Sequence, residues 1–188
     1  MNEIEQRDKL LADERGKSKL LDPTPHRKKY VIELLYRFFS KKISYAELTG
    51  IPQKELLQLA EMGYIKLLYG KLQESQKIFD CLMSLDPKNF YYHAAMGSIY
   101  QKRKNYVDAV FEYTEALKYN PEDLASLVNR GEIYLIHKNF RRAAEDFREA
   151  IIKDTDGKNN FANRARSLVI AIKRNVQKEK QQLVQFKS

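Results

Sequence analysis

The chain has 188 residues, 43% of them hydrophobic and 31% charged, with a formal net charge of +9. This composition suits one soluble helical domain, and no stretch approaches the roughly 18 uninterrupted apolar residues of a membrane span. The charged run from Glu3 to Arg15 is unlike a secretory signal, and the single cysteine, Cys81, excludes an internal disulfide, so we expect a cytoplasmic protein in which Cys81 is a small packing residue.

The N-terminal part is predicted as a flexible polar segment over 1–26 and a helix with a short turn over 27–52. The helix is expected from about Arg27 to Lys41. One of its faces carries the apolar residues Tyr30, Val31, Leu34, Leu35, Phe38 and Phe39. Such a face is unfavourable in water, so we expect it to pack on the rest of the chain, on a second copy in a homodimer, or on a client protein. Ser44 and Glu47 have capping-box spacing and predict a helical turn that stops at Gly50.

Residues 53–156 contain a repeat, in which Gly63, Gly97 and Gly131 lie 34 residues apart. Aromatic and alanine residues recur after the second and third glycines at the same offsets: Tyr100, Tyr106, Ala109, Tyr113 and Ala116, then Tyr134, Phe140, Ala143, Phe147 and Ala150. The first unit is looser. Steps of 3, 4 and 3 place Tyr106, Ala109, Tyr113 and Ala116 on one helical stripe. The prolines at 87 and 121 end helices. We predict three helix pairs over about 53–86, 89–120 and 123–154.

Residues 157–188 are predicted as a basic helix and tail. Seven basic and one acidic side chain give residues 161–188 a net charge of +6, whereas the repeats are nearly neutral. An apolar face is expected to cap the open end of the repeats: Phe161, Ala165, Leu168, Val169, Ile172 and Val176. Beyond about Val176 we expect the helix to fray.

The sequence shows no catalytic or metal site, and we expect no enzyme and no cofactor. His26, His93 and His137 are far apart, and none has a second ligand three or four residues after it. Gly-rich phosphate loops and nucleophile motifs are absent. The conspicuous carboxylates are interpreted as a solvated outer face of the second helices: Glu112, Glu115, Glu145, Asp146 and Glu149.

The 34-residue pattern resembles the tetratricopeptide repeat. The resemblance implies an all-α fold in which three helix-turn-helix repeats form a right-handed α-solenoid, with an N-terminal amphipathic helix and a C-terminal capping helix. In such arrays the first helices of the pairs line a concave groove. The expected groove residues are Leu57, Ala60, Tyr64 and Leu67; Tyr91, Ala94, Ser98 and Gln101; and Ala125, Val128, Glu132 and Leu135. A groove of this composition suits an extended peptide with apolar anchors.

The segments 48–52, 56–60 and 67–72 are similar to the start of the repeats in the class II chaperones of bacterial type III secretion. That resemblance implies a cytosolic, often dimeric chaperone that holds a translocator segment rich in leucine and proline. Tyr64, Leu67 and Tyr91 would then form the main wall, with pockets at Ala60 and Ala94. The helix over Tyr30 to Phe39 would contact a second copy or the client.

Two alternatives to this chaperone role follow from the same residues. A general tetratricopeptide scaffold needs only the repeats. The clamp with which some such domains hold heat-shock chaperones is missing, because its positions carry Ala60, Tyr64, Ala95, Ala125 and Asn129. RNA binding by the last helix is disfavoured against a solvated capping helix, and it would use Arg164, Arg166, Lys173, Arg174, Lys178 and Lys180.

Overall fold

The computed structural model describes the backbone of residues 25–185 and the side chains of residues 29–174. Residues 1–24 of the segment predicted to be flexible, and the side chains of His26, Val176, Lys178 and Lys180, lie outside these described residues. Within them, all regular structure is helical. The chain divides after Ile51 into two compact units, which are described separately.

The first unit contains two helices. Helix α1 is Pro25–Phe39 and helix α2 is Tyr45–Thr49. The predicted capping box is present, because Ser44 Oγ accepts from the Glu47 amide and the Glu47 carboxylate accepts from the Ser44 amide at 2.7 Å. Gly50 ends α2 with φ +72°, as the sequence predicts. Helix α1 ends two residues before the predicted Lys41, which instead takes a left-handed conformation in the turn.

The second unit contains three helix pairs and a closing helix. The pairs are α3 (Gln53–Leu68) with α4 (Leu72–Leu85), α5 (Phe90–Lys102) with α6 (Tyr106–Tyr119), and α7 (Leu124–Ile136) with α8 (Phe140–Lys153). Helix α9 (Asn160–Gln185) follows. Its backbone is helical past Val176, beyond which the sequence analysis expects fraying. The prediction of an all-α repeat solenoid is confirmed.

The 34-residue period has a direct packing cause. A Cβ atom on Gly97 would lie 2.7 Å from the ring of Tyr113, and one on Gly131 would lie 2.7 Å from the ring of Phe147. These distances are far below van der Waals contact, so only glycine lets the two helices of a pair approach over a buried aromatic ring. Gly63 has the same relation to Phe79.

Helix α9 closes the last pair through its apolar face. Leu168, Val169 and Ile172 pack against a buried cluster that includes Val128 and Phe147. Arg166 adds an ion pair between the two helices, because its Nη1 atom lies 2.6 Å from Asp154 Oδ2 at the end of α8. The predicted capping role of α9 therefore has both apolar and ionic components.

Candidate peptide-binding groove

The first helices of the pairs place an apolar wall at the start of the expected groove. Leu57, Tyr64 and Tyr91, which we call the aromatic wall, have 56%, 44% and 36% of their surface exposed. Tyr91 rests on the buried ring of Phe79, with centroids 6.2 Å apart. Burial raises the pKa of Tyr91, and Tyr64 is near enough to add to this effect. The wall therefore spans α3 and α5.

Other expected groove residues lie beneath the surface. Ala60, Leu67 and Val128 are buried, so they form part of the core between helices and are not available as walls. Ala94, Ala125 and Leu135 are half-buried. The reason is that, on each first helix, the face expected to line the groove is next to the face that packs on the second helix. Residue spacing alone does not show where one face ends and the other begins.

The remaining expected residues converge on a polar cavity of about 440 Å³ between the second and third pairs. We call it the polar pocket, and it is lined by Ser98, Gln101, Lys102, Tyr106, Asn129, Glu132, Ile136 and Arg164. Three of these residues, Ser98, Gln101 and Glu132, were predicted to line the groove. The accessible positions of the expected groove are therefore apolar at the first pair and more polar between the second and third pairs.

A buried tyrosine organises one side of the polar pocket. Tyr113 Oη donates to Gln101 Oε1 at 2.6 Å and lies 3.1 Å from Ser98 Oγ. Burial raises the pKa of Tyr113 to about 12, so the phenol stays protonated and able to donate at neutral pH. This contact fixes which end of the Gln101 amide faces the pocket.

An ion pair organises the other side. Arg164 Nε lies 2.8 Å from Glu132 Oε1, and Arg164 Nη2 donates to Asn129 Oδ1. The guanidinium also lies over the Phe161 ring, 5.4 Å from its centroid. Burial raises the pKa of Glu132, and Arg164 opposes the rise. Helix α9 thus supplies a cation to the groove.

Sequence reasoning missed Arg164 as a groove residue, although a signal was present. Two more residues connect α8 to α9 than connect α6 to α7. Counted from the start of its own helix, Arg164 has the same place as Ala94 in α5 and Val128 in α7. Counting from the first residue of each helix, instead of adding 34 residues each time, identifies Arg164 as the equivalent position.

The structure contradicts the predicted exposure of three side chains, two of which are buried and one exposed. Glu112 and Asp146 were expected on a solvated face but are buried, because each has a cationic or imidazole partner on the first helix of its pair. Arg130 binds Asp146 through two hydrogen bonds, at 3.0 and 2.7 Å. Cys81 was expected to pack internally but is exposed.

The basic residues of α9 are partly engaged with the repeats. Arg164 and Arg166 form ion pairs with Glu132 and Asp154, while Lys173 and Arg174 are exposed. No group of three potential metal ligands occurs among the described residues. In that same part of the chain, no helix has the length and apolarity needed to cross a membrane.

The apolar residues of α1 are largely exposed. Tyr30, Leu35 and Phe39 are exposed, with Phe39 at 77%, while Leu34 and Phe38 are half-buried. Phe38 packs edge-on against Tyr45 of α2, with ring centroids 6.0 Å apart. The contact role predicted for this helix therefore has accessible side chains to support it.

Comparison with known proteins bears on this geometry. Residues 90–123, which comprise the second helix pair, match the tetratricopeptide repeat family model. Superkiller complex protein 3 of Homo sapiens is 28% identical over 130 residues, covering 66% of this chain and 8% of that protein. Hsp70-Hsp90 organizing protein 3 of Arabidopsis thaliana is 31% identical over 72 residues, or 38% of this chain and 13% of that protein. The chain thus spans a small fraction of these curated relatives.

Solved structures match over most of their own length. A type III secretion complex from Aeromonas hydrophila has a TM-score of 0.68 at 20% identity, covering 76% of this chain and 97% of that one. The translocator chaperone SycD of Yersinia enterocolitica has a TM-score of 0.64 at 20% identity, covering 69% and 98%. SycD bound to a peptide of the translocator YopD gives 0.60 at 20% identity, covering 66% and 97%.

The chain has the fold of these chaperones. It resembles them as the sequence predicts. At such low identity the likeness concerns the fold alone.

Proposed function

We propose that this chain is a non-enzymatic cytosolic chaperone that holds an extended segment of a type III secretion translocator in its concave groove. The observation that carries the proposal is the aromatic wall, in which Leu57, Tyr64 and Tyr91 are exposed on the first helices of the first two pairs. Exposed apolar side chains on a concave surface favour binding of apolar anchors from a partner.

The fold supports the same function. SycD, which shares it, is known in complex with a peptide of a translocator. A chain with the same helix order and an apolar groove start is suited to the same class of ligand.

The groove by itself supports weak binding. Three buried anchors at about 1.5–3 kcal/mol each contribute about 5–9 kcal/mol before the cost of ordering the peptide. Micromolar affinity needs about 8 kcal/mol. A tight client complex therefore requires additional surface, and the exposed apolar residues of α1 are suited to provide it.

The test is co-expression with a hydrophobic translocator encoded near this gene. The wild-type chain should keep the translocator soluble, and Tyr64→Ala with Tyr91→Ala should reduce the soluble fraction at least about tenfold, since two anchors at about 1.5 kcal/mol or more are lost. Phe111→Ala with Phe140→Ala is the matched control, because both side chains are exposed on second helices. Normal solubility with the groove variant would refute the groove assignment.

A scaffold in a larger assembly is the second candidate. It is favoured by the sequence matches to Superkiller complex protein 3 and Hsp70-Hsp90 organizing protein 3. The chain is 28% and 31% identical to these proteins, but 20% identical to the secretion complex from Aeromonas hydrophila. Pull-down from the native organism separates the two functions. A stable set of several subunits, with no translocator among them, would favour the scaffold.

A further inference from the structure

The polar pocket has a chemistry that the aromatic wall does not explain. The two amide groups that line it, those of Gln101 and Asn129, already accept hydrogen bonds from other side chains at their oxygen atoms. Gln101 Oε1 accepts from Tyr113, and Asn129 Oδ1 accepts from Arg164. The contact with Tyr113 fills one acceptor position of the Gln101 oxygen and leaves the N–H₂ group available to donate.

Arg164 is held in place with donors to spare. Its contacts with Glu132 and Asn129 engage Nε and Nη2. Nη1 has no partner among the residues whose side chains the structure describes. The ring of Phe161 and the Glu132 carboxylate fix the guanidinium plane, so a ligand that meets Nη1 does not have to order this long side chain first.

The charge of the pocket favours an anion. Lys102 and Arg164 contribute two positive charges, and Glu132 contributes one negative charge that is already paired with Arg164. The pocket is therefore an open concave site with a net charge of +1, in which Gln101, Lys102 and Arg164 offer N–H donors. Its two cations, Lys102 and Arg164, are exposed. An anionic acceptor satisfies these groups, whereas a basic side chain would meet two cations.

We propose that the polar pocket binds the carboxylate of an acidic residue in the same extended segment whose apolar side chains contact the aromatic wall. This proposal rests on the proposed function. It adds a preference for an acidic residue in the bound segment and the orientation in which that segment lies in the groove. The apolar part of the segment lies at the first two pairs, and its acidic residue lies at the third pair beside Arg164. The site differs from a heat-shock clamp, because its cation comes from the closing helix.

The experiment uses the full chain and short fluorescein-labelled peptides with blocked ends. Each peptide carries leucine anchors and one glutamate, whose place is moved along the peptide, and each has a partner with glutamine at that place. At one position the glutamate peptide should bind about tenfold more tightly than its glutamine partner at low salt, and the preference should shrink at high salt.

Three variants identify the group responsible. Arg164→Gln should bind both peptides of the pair equally. Glu132→Gln should increase the preference for glutamate, because the competing carboxylate is removed, and this gain cannot result from misfolding. Arg174→Gln, an exposed arginine further along α9, is the control and should behave as wild type.

The outcomes separate this proposal from the one on which it rests. Equal binding of glutamate and glutamine at every position, or an unchanged preference in Arg164→Gln, overturns the acidic-residue proposal alone. Peptide binding that is insensitive to Tyr64→Ala with Tyr91→Ala overturns the groove assignment itself.

Discussion

Ser75 and Ser126 are both completely buried, yet their hydroxyl groups have different surroundings. Ser75 Oγ donates to the Gly63 carbonyl oxygen at 2.8 Å and so joins the two helices of the first pair. Ser126 Oγ has no hydrogen-bond partner among the described residues. A buried hydroxyl stabilises the fold when it is paired and destabilises it when it is not.

The same substitution should therefore have opposite effects at these two positions. Ser75→Ala should lower the free energy of unfolding by about 1 kcal/mol, and Ser126→Ala should raise it by about 1 kcal/mol. Urea unfolding followed by circular dichroism measures both. Each variant is the control of the other, and a change of the same sign in both would contradict the account.

The glycines show how far residue patterns reach. Gly97 and Gly131 were identified from their period, and the structure adds the cause, which is a ring 2.7 Å from where a Cβ would lie. Ser75 occupies the place of Ala109 and Ala143, and its role could not be read from the pattern. A pattern shows that a small residue is required, but only the neighbouring backbone shows whether a hydroxyl finds a partner.

At the scale of helices, buried polar contacts join elements that the apolar pattern leaves unspecified. His93 Nδ1 lies 2.7 Å from Glu112 Oε2, and His93 Nε2 lies 3.0 Å from the Pro87 carbonyl oxygen. Both partners are acceptors, so only the doubly protonated imidazolium donates to both. The contact ties the turn before α5 to the middle of α6.

This contact predicts a pH dependence of stability. Burial opposes the charge on His93, but the hydrogen bonds to Glu112 and Pro87 and the nearby charges of Glu112 and Glu115 outweigh it, so the pKa of His93 is raised. Because the folded-state pKa exceeds the unfolded value near 6.5, the stabilisation is complete below about pH 6.5 and is lost as the pH rises through the folded-state pKa. One unit of difference corresponds to about 1.4 kcal/mol.

Chemical unfolding at several pH values tests this prediction. Wild type should lose free energy of unfolding as the pH rises above about 6.5, and His93→Asn should lack this component. His137→Asn is the control, since His137 is exposed at the end of α7. A pH profile of His93→Asn that parallels wild type would show that the imidazole does not contribute.

The buried carboxylates mark a limit of helix-face reasoning. Glu112 and Asp146 lie on second helices, where acidic residues suggested a solvated face. Each instead pairs with a residue of the first helix, His93 or Arg130. Distant residues became neighbours only when the helices packed, and the spacing within one helix carries no information on such partners.

At the scale of the whole molecule, the exposed apolar residues of α1 predict self-association of the free chain. An apolar patch of this kind is costly in water and is reduced by contact with another copy or a client. Leu35→Glu with Phe39→Glu should therefore make the sedimentation coefficient less dependent on protein concentration. The association constant should fall by tenfold or more, because each apolar side chain that is removed contributes about 1.5 kcal/mol or more to association.

The matched control is Val107→Glu with Phe111→Glu, which places the same charges on exposed apolar positions of α6. This control should sediment as wild type does. Equal loss of association in both variants would point to net charge as the cause, and no change in either would contradict a role for α1.

The sequence by itself determined the helix pairs, their period and the capping box at Ser44, because these features depend on local spacing and on residue size. Only the tertiary structure decided which groove positions are open and which are buried, and it alone brought Arg164 to Glu132 from 32 residues away. The physical reason is that burial and ion pairing are properties of packed helices. Regularly spaced residues of one helix can face either the groove or the second helix, and which of the two they face is decided only when the helices pack.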